Sequence, residues 1–164
     1  MIHTSQNIPC PTDLNFLYET NYIRRAGIIP FSIRNGLVYL LLGYSKEINP
    51  VWADLGGRAE KNETTIETAI REYTEESRNV LPLDLSRTSK ILITSKNEKP
   101  DQAILFVETE FNSEINKIFE KTSPKNKYED EMYLLQWIPY HTFLIMSELS
   151  DSLKSVQELL FFID

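Results

Sequence analysis

The sequence predicts an α/β fold in which a β-sheet lies between helical layers. Three observations carry this reading. Short apolar runs bounded by turn residues recur along the chain, and one pair is joined by an Asn-Gly turn. A stretch in the middle repeats its apolar residues at helical spacing behind a capping signature. Two further helical segments close the chain. A length of 164 residues suits one such domain.

The elements follow in order. Residues 1–24 carry Pro9, Pro11 and many polar side chains, and read as an N-terminal arm or short helix packing on a domain that spans 25–164. Residues 26–33 form a strand, 34–36 the Asn-Gly turn, and 37–44 a returning strand so apolar that both its faces should be buried. Residues 51–55 read as another short strand, followed by Gly56-Gly57 and a polar loop to Glu63. Thr64 and Glu67 form a capping box, and Ile66, Ala69, Ile70 and Tyr73 make one apolar stripe, so a helix runs over about 65–77. Strands follow at 89–94 and 102–109 around the loop "SKNEKPD", then a short helix at 113–121. Residues 122–131 form a polar loop long enough to be functional, and 132–138 a last strand ending at Pro139. Helices at 141–149 and 151–163 close the domain, the second capped by Ser150 or Asp151.

Composition narrows the partners. An apolar fraction of 41% is enough to build a core. A formal charge of −7 argues against a general polyanion-binding surface, so nucleic acid is not the favoured partner, although a local basic groove is compatible with it. Cys10 is the only cysteine, which leaves no intrachain disulfide and fits a reducing compartment. The start lacks a basic n-region with an apolar run, and no apolar stretch reaches the roughly 18 residues that cross a bilayer. The expectation is a cytoplasmic protein with no membrane partner.

The 65–77 helix raises a physical question. At about 100° per residue, Glu75 sits near −60° and Glu76 near +40° from Glu72, while the apolar stripe is centred near +110°. Three carboxylates thus share one narrow face beside the buried stripe. Like charges at this spacing weaken a helix by a few tenths of a kcal/mol per pair. They are either a solvated acidic face, with Arg71 and Arg78 pairing to Glu75, or a site for a hard divalent cation that removes the repulsion.

The loop ahead of the helix weighs on that choice. The stretch resembles the Nudix box of the Nudix hydrolases, G-x5-E-x7-R-E-U-x-E-E-x-G-U with U aliphatic: Gly57, Glu63, Arg71, Glu72, Glu75 and Glu76 match in register. Tyr73 replaces an aliphatic residue and keeps the stripe. Arg78 stands in place of the final glycine and Asn79 in place of the last aliphatic residue. Arginine enters the left-handed conformation poorly, so the helix exit is expected one residue later, at Asn79, with Val80 as the apolar anchor.

The resemblance implies a Nudix-type α/β/α sandwich with a central mixed sheet. It implies a hydrolase that uses Mg²⁺ or Mn²⁺ to cleave the pyrophosphate bond of a nucleoside diphosphate linked to another moiety. The metal would be held by Glu72, Glu75, Glu76 and the carbonyl of Gly56. Glu63 and Arg71 would be a structural ion pair setting the loop against the helix. A later glutamate assists the water in several subfamilies, and Glu129 or Glu131 matches that role. Arg25 and Arg58 are candidates for binding substrate phosphate, as are Arg24, Lys96 and Lys99. Subfamily signatures downstream of the box are missing, so the leaving group is not legible. RNA 5′-cap or diphosphoinositol polyphosphate hydrolysis, or a Nudix-fold binding module without chemistry, remain alternatives. Many members of the family dimerise, and a homodimer is compatible with the chain.

Overall fold

The computed structural model describes residues 3–9 and 14–163, with side chains over 14–160. Cys10 and Pro11 of the N-terminal arm lie outside the described residues. The strands are β1 (His3–Pro9), β2 (Arg25–Arg34), β3 (Leu37–Ser45), β4 (Trp52–Ala53), β5 (Leu55–Arg58), β6 (Thr88–Lys96), β7 (Lys99–Glu108) and β8 (Met132–Pro139). The helices are α1 (Leu14–Glu19), α2 (Thr65–Glu76), α3 (Ile115–Lys121), α4 (Tyr140–Phe143) and α5 (Asp151–Ile163).

One mixed sheet runs β1-β6-β7-β2-β3-β4, with β5 also pairing with β2 and β8 with β3. The β2–β7 pair is parallel and the other pairs are antiparallel. Strand alternation sorts the apolar residues onto two faces. Ile28, Leu41, Ile91, Ile93 and Leu105 pack beneath α1, α2 and α3 with Leu17, Ile66, Ala69 and Phe119. Ile29, Leu40, Leu42, Leu92 and Ile104 pack on the other face with Phe143 of α4 and Leu153, Val156 and Leu160 of α5. The sheet is therefore sandwiched between helical layers, and β3 is buried on both faces as its sequence requires. No helix among the described residues is long and apolar enough to cross a membrane.

Local chemistry explains most boundaries. Asn35 and Gly36 take φ of 54° and 77° at the β2–β3 turn. Thr64 accepts from the Glu67 amide and Glu67 accepts from the Thr64 amide, so the capping box starts α2. Ser150 Oγ accepts from the Leu153 amide at the start of α5.

Three expectations change. Residues 51–58 make two strands rather than one strand and a loop. Gly56 and Gly57 lie within β5, facing Gly27 and Ala26 of β2. The expected "SKNEKPD" loop is a two-residue turn: Asn97 and Glu98 adopt φ of 53° and 65°, and pairing extends to Lys96 and Lys99. The helix expected over 141–149 is one turn, because the chain leaves α4 after Phe143 and Glu148 takes φ of 58°.

Candidate metal and substrate site

The site forms where α2 crosses β2 and β5. Gly57 makes the approach close: a Cβ there would stand 2.5 Å from the Glu72 carboxyl carbon. Glycine at this position leaves the space that the Glu72 carboxylate fills. Gly56 answers a different contact. A Cβ at Gly56 would lie 2.5 Å from Gly27 Cα and 2.6 Å from Asp54 Oδ2. Asp54 is thus threaded over two facing glycines, where its carboxylate accepts from Arg25 at 2.8 and 3.1 Å and from the Ser152 hydroxyl at 2.8 Å.

Arg71 organises the rim. Its Nε and Nη2 donate to Glu63 at 2.7 and 3.1 Å, its Nη1 to Glu72 at 2.9 Å, and its Nη2 also to the Arg58 carbonyl at 3.0 Å. Thr68 donates to the same Glu63 carboxylate. These bonds hold the Glu63 carboxyl well down, at a pKa of about 2. The 59–63 loop, α2 and β5 are therefore joined through one guanidinium. Glu60 stays in solvent, 3.7 Å from Arg71.

Among the described residues, Glu72, Glu76 and Glu131 bring carboxylate oxygens within 4.8 Å of one another. Glu76 is buried at 5% exposure, and its Oε1 has no hydrogen-bond partner. Burial first, then the like charges of Glu72 and Asp54, push its pKa well up. Burial also raises Glu72, against the opposing hydrogen bond from Arg71. Glu75 stands apart from the three, 3.5 Å from Arg71, and its pKa is raised by burial with Arg71 opposing.

The two candidate late glutamates separate. Glu131 converges on the α2 carboxylates. Glu129 accepts from the Lys125 amide through its carboxylate and so caps its own loop. Arg25 and Arg58 both line the adjoining cavity, as do Gly56, Glu76 and Glu131. The Arg25 guanidinium is engaged by Asp54 and Gln102. Lys96 and Lys99 flank the tight β6–β7 turn and are not among the cavity-lining residues.

The cavity measures about 940 Å³, and Lys46, just past the end of β3, and Lys154 of α5 line it. Neither lysine was singled out in the sequence, since their registers converge only in three dimensions. The Asp54–Ser152 contact was equally hidden, spanning 98 residues of chain. The one local hint was an acid set between strand residues and a glycine pair.

The helix exit differs from expectation. It is not displaced: Arg78 itself adopts φ of 53°, followed by Asn79 at 53°. The Arg78 amide donates to the Glu75 carbonyl and the Asn79 amide to the Thr74 carbonyl, which is the Schellman pattern. Val80 packs against the core as the apolar anchor. An L-residue in this conformation costs roughly 1–2 kcal/mol. The Arg78 side chain offsets that cost by donating to the carbonyls of Glu129, Phe119 and Thr122.

No family model matches the chain, and no curated protein matches it in sequence. Solved structures do. The NUDIX domain of Shewanella oneidensis NrtR, solved in complex with ADP ribose, aligns with a TM-score of 0.53 at 13% identity, covering 94% of this chain and 100% of that one. The chain has the Nudix fold. The C. elegans Ap4A hydrolase is similar with a TM-score of 0.50 at 15% identity, covering 87% of this chain and 98% of that one. The C-terminal domain of mouse MUTYH, solved with human PCNA, gives 0.51 at 13% identity, covering 84% and 86%. These likenesses establish the Nudix architecture and leave the chemistry to the site.

Proposed function

We propose that this Nudix-fold chain is a Mg²⁺- or Mn²⁺-dependent hydrolase of the pyrophosphate bond in a nucleoside diphosphate linked to another moiety. One observation carries the reading: a buried glutamate, Glu76, keeps an unpartnered carboxylate oxygen beside two further carboxylates, Glu72 and Glu131. An unpaired buried acceptor is costly unless something else satisfies it. An all-oxygen donor set is the chemistry that hard divalent cations take. Glu72, Glu76 and Glu131 would hold the ion, with Glu75 and the Gly56 carbonyl as further donors by resemblance.

When bound, such an ion neutralises phosphate charge and acidifies water. The chain's own groups supply the rest. Arg71 orients the Glu72 carboxylate. Glu131 is the exposed member of the three, which supports it, beyond its share in holding the ion, as the group that would accept a proton from the attacking water. Lys154 and Arg58 line the cavity, and among the described residues their cationic groups have no carboxylate partner. They are the groups available to substrate phosphates. A volume of about 940 Å³ suits a ligand of nucleotide-derivative size.

Arg78 and Asn79 preserve the helix exit, so they lend no support to a fold that has lost its chemistry. The test is phosphate release from nucleotide sugars, dinucleoside polyphosphates, ADP-ribose and capped RNA with Mg²⁺ or Mn²⁺. Turnover of at least one small nucleotide derivative is expected, lost in Glu76→Gln. An inert panel, together with unchanged metal binding in Glu76→Gln, rejects the reading.

A further inference from the structure

Arg78 does more than end a helix. Its side chain is only 8% exposed. The guanidinium lies 4.0 Å over the buried Phe119 ring. Nη1 donates to the carbonyls of Phe119 and Thr122 at 3.2 and 3.0 Å, and Nε donates to the Glu129 carbonyl at 2.9 Å. Nη2 reaches Asp130 at 3.5 Å. Phe119 lies in the last turn of α3 and Thr122 caps its end; the Phe119 carbonyl also accepts from the Thr122 amide, so Arg78 adds a second donor there and reaches the cap carbonyl beyond it. Glu129 closes a 3-10 turn over 127–129, two residues before Glu131. One guanidinium therefore gathers both ends of the 122–131 loop.

The placement bears on the carboxylate cluster. Arg78 follows Glu76 by two residues on one side, and its acceptor Glu129 precedes Glu131 by two on the other. Lys46 ties the same loop to β3: its amide donates to the Glu131 carbonyl at 2.9 Å and its ammonium contacts Asp130 at 2.6 Å. Arg78 supplies the link to α2. Glycine, which the resembled motif has here, would meet the backbone requirement better and could form none of these bonds.

We propose that Arg78 is a positioning residue that locks the 122–131 loop onto the end of α2 and thereby sets Glu131 against Glu72 and Glu76. The proposal rests on the cation reading above. Arg78→Gly is the informative variant, because glycine keeps the left-handed exit and removes only the side chain.

Mn²⁺ binding by calorimetry and amide exchange of the intact chain test it. Arg78→Gly is expected to weaken Mn²⁺ by about tenfold or more, the usual effect of removing a group that orients a ligand. Amide exchange should rise over 122–131 and stay unchanged across 65–76. Glu131→Gln should lose comparable affinity, and the double variant should lose little more, since Arg78 acts through Glu131. If exchange shows that Arg78→Gly has lost its fold, Arg78→Lys gives the same readouts, because an ammonium cannot span the three carbonyls. Wild-type Mn²⁺ affinity in the Arg78 variant, or a loss that adds in full to that of Glu131→Gln, overturns the inference alone. A wild-type chain that binds no Mn²⁺ overturns the cation reading and the inference with it.

Discussion

Glu63 grips the Arg71 guanidinium through two hydrogen bonds of 2.7 and 3.1 Å, one to each carboxylate oxygen. This fork is the hinge pin of the site, because the other Arg71 donors hold Glu72 and the Arg58 carbonyl. The carboxyl that accepts the fork is held well toward acidity by it.

Stability should fall in acid through this pair. Glu63 titrates near 2 in the folded chain against an ordinary value of 4.5. A depressed folded pKa means that the unfolded chain binds the proton first. The contribution is therefore complete above about pH 4.5 and is lost as pH falls toward 2. The pair borders solvent, so screening reduces its worth to about 1 kcal/mol. Melting temperature followed from pH 5 to pH 2.5 should fall less steeply in Glu63→Gln than in the wild-type chain. Parallel slopes would remove Glu63 from the account.

Glu76 should show the opposite balance between stability and function. Its carboxylate is buried, pushed well up in pKa by that burial, and leaves Oε1 unpartnered. Glu76→Gln removes a buried charge, so without divalent cation the variant should be more stable by about 1 kcal/mol. The wild-type chain should gain about 2.7 kcal/mol when Mn²⁺ reaches a hundred times its Kd. The variant should gain almost nothing. Thermal melts with chelator and with Mn²⁺ check both halves, and an equal Mn²⁺ response in the two proteins would refute the assignment.

Neighbouring glycines should fail differently. Alanine at Gly56 places a Cβ against Gly27 Cα and the Asp54 carboxylate, both fixed by β-pairing and a buried ion pair. Gly56→Ala should cost about 2–4 kcal/mol, the price of overpacking a rigid contact. The three atoms nearest an alanine Cβ at Gly57 all belong to the end of the Glu72 side chain. Gly57→Ala should cost about 1 kcal/mol or less in stability and still weaken Mn²⁺ binding by displacing that carboxylate. Chemical denaturation beside calorimetry separates the two outcomes.

How much of this was legible follows from the reach of each interaction. The α2 start was readable because Thr64 and Glu67 cap it within one turn. The two-sided burial of β3 was readable from its own apolar run. Gly56 and Gly57 looked like a loop because what makes them a strand is pairing with β2, some 30 residues earlier in the chain. The β6–β7 turn was hidden because Glu98, which carries no turn signal, takes a left-handed φ. In the site, the matched motif located Glu63, Arg71, Glu72 and Glu76. It could not say which late glutamate converges, since Glu131 is placed by the packing of the 122–131 loop. Arg78 was visible only as a departure, because its acceptors lie 41 to 51 residues away.

Asp54 and Arg25 form a buried ion pair under the cavity. Asp54 is fully buried and Arg25 is 14% exposed by side chain, joined by two hydrogen bonds, with Gln102 and Ser152 completing the set. Breaking one side of such a pair leaves an uncompensated charge, so Asp54→Asn should cost about 3–5 kcal/mol. Replacing both partners with apolar residues removes both charges and should recover most of that loss. Arg25→Met with Asp54→Leu must still fit the Gly27–Gly56 approach, where any bulk beyond the Asp54 carboxylate is resisted. Recovery should therefore be better with Asp54→Val than with Asp54→Leu in the Arg25→Met background. Urea denaturation of the three variants measures the coupling. If Asp54→Asn alone is no less stable than the double replacement, the pair is not an obligate unit and Arg25 is free to serve the cavity instead.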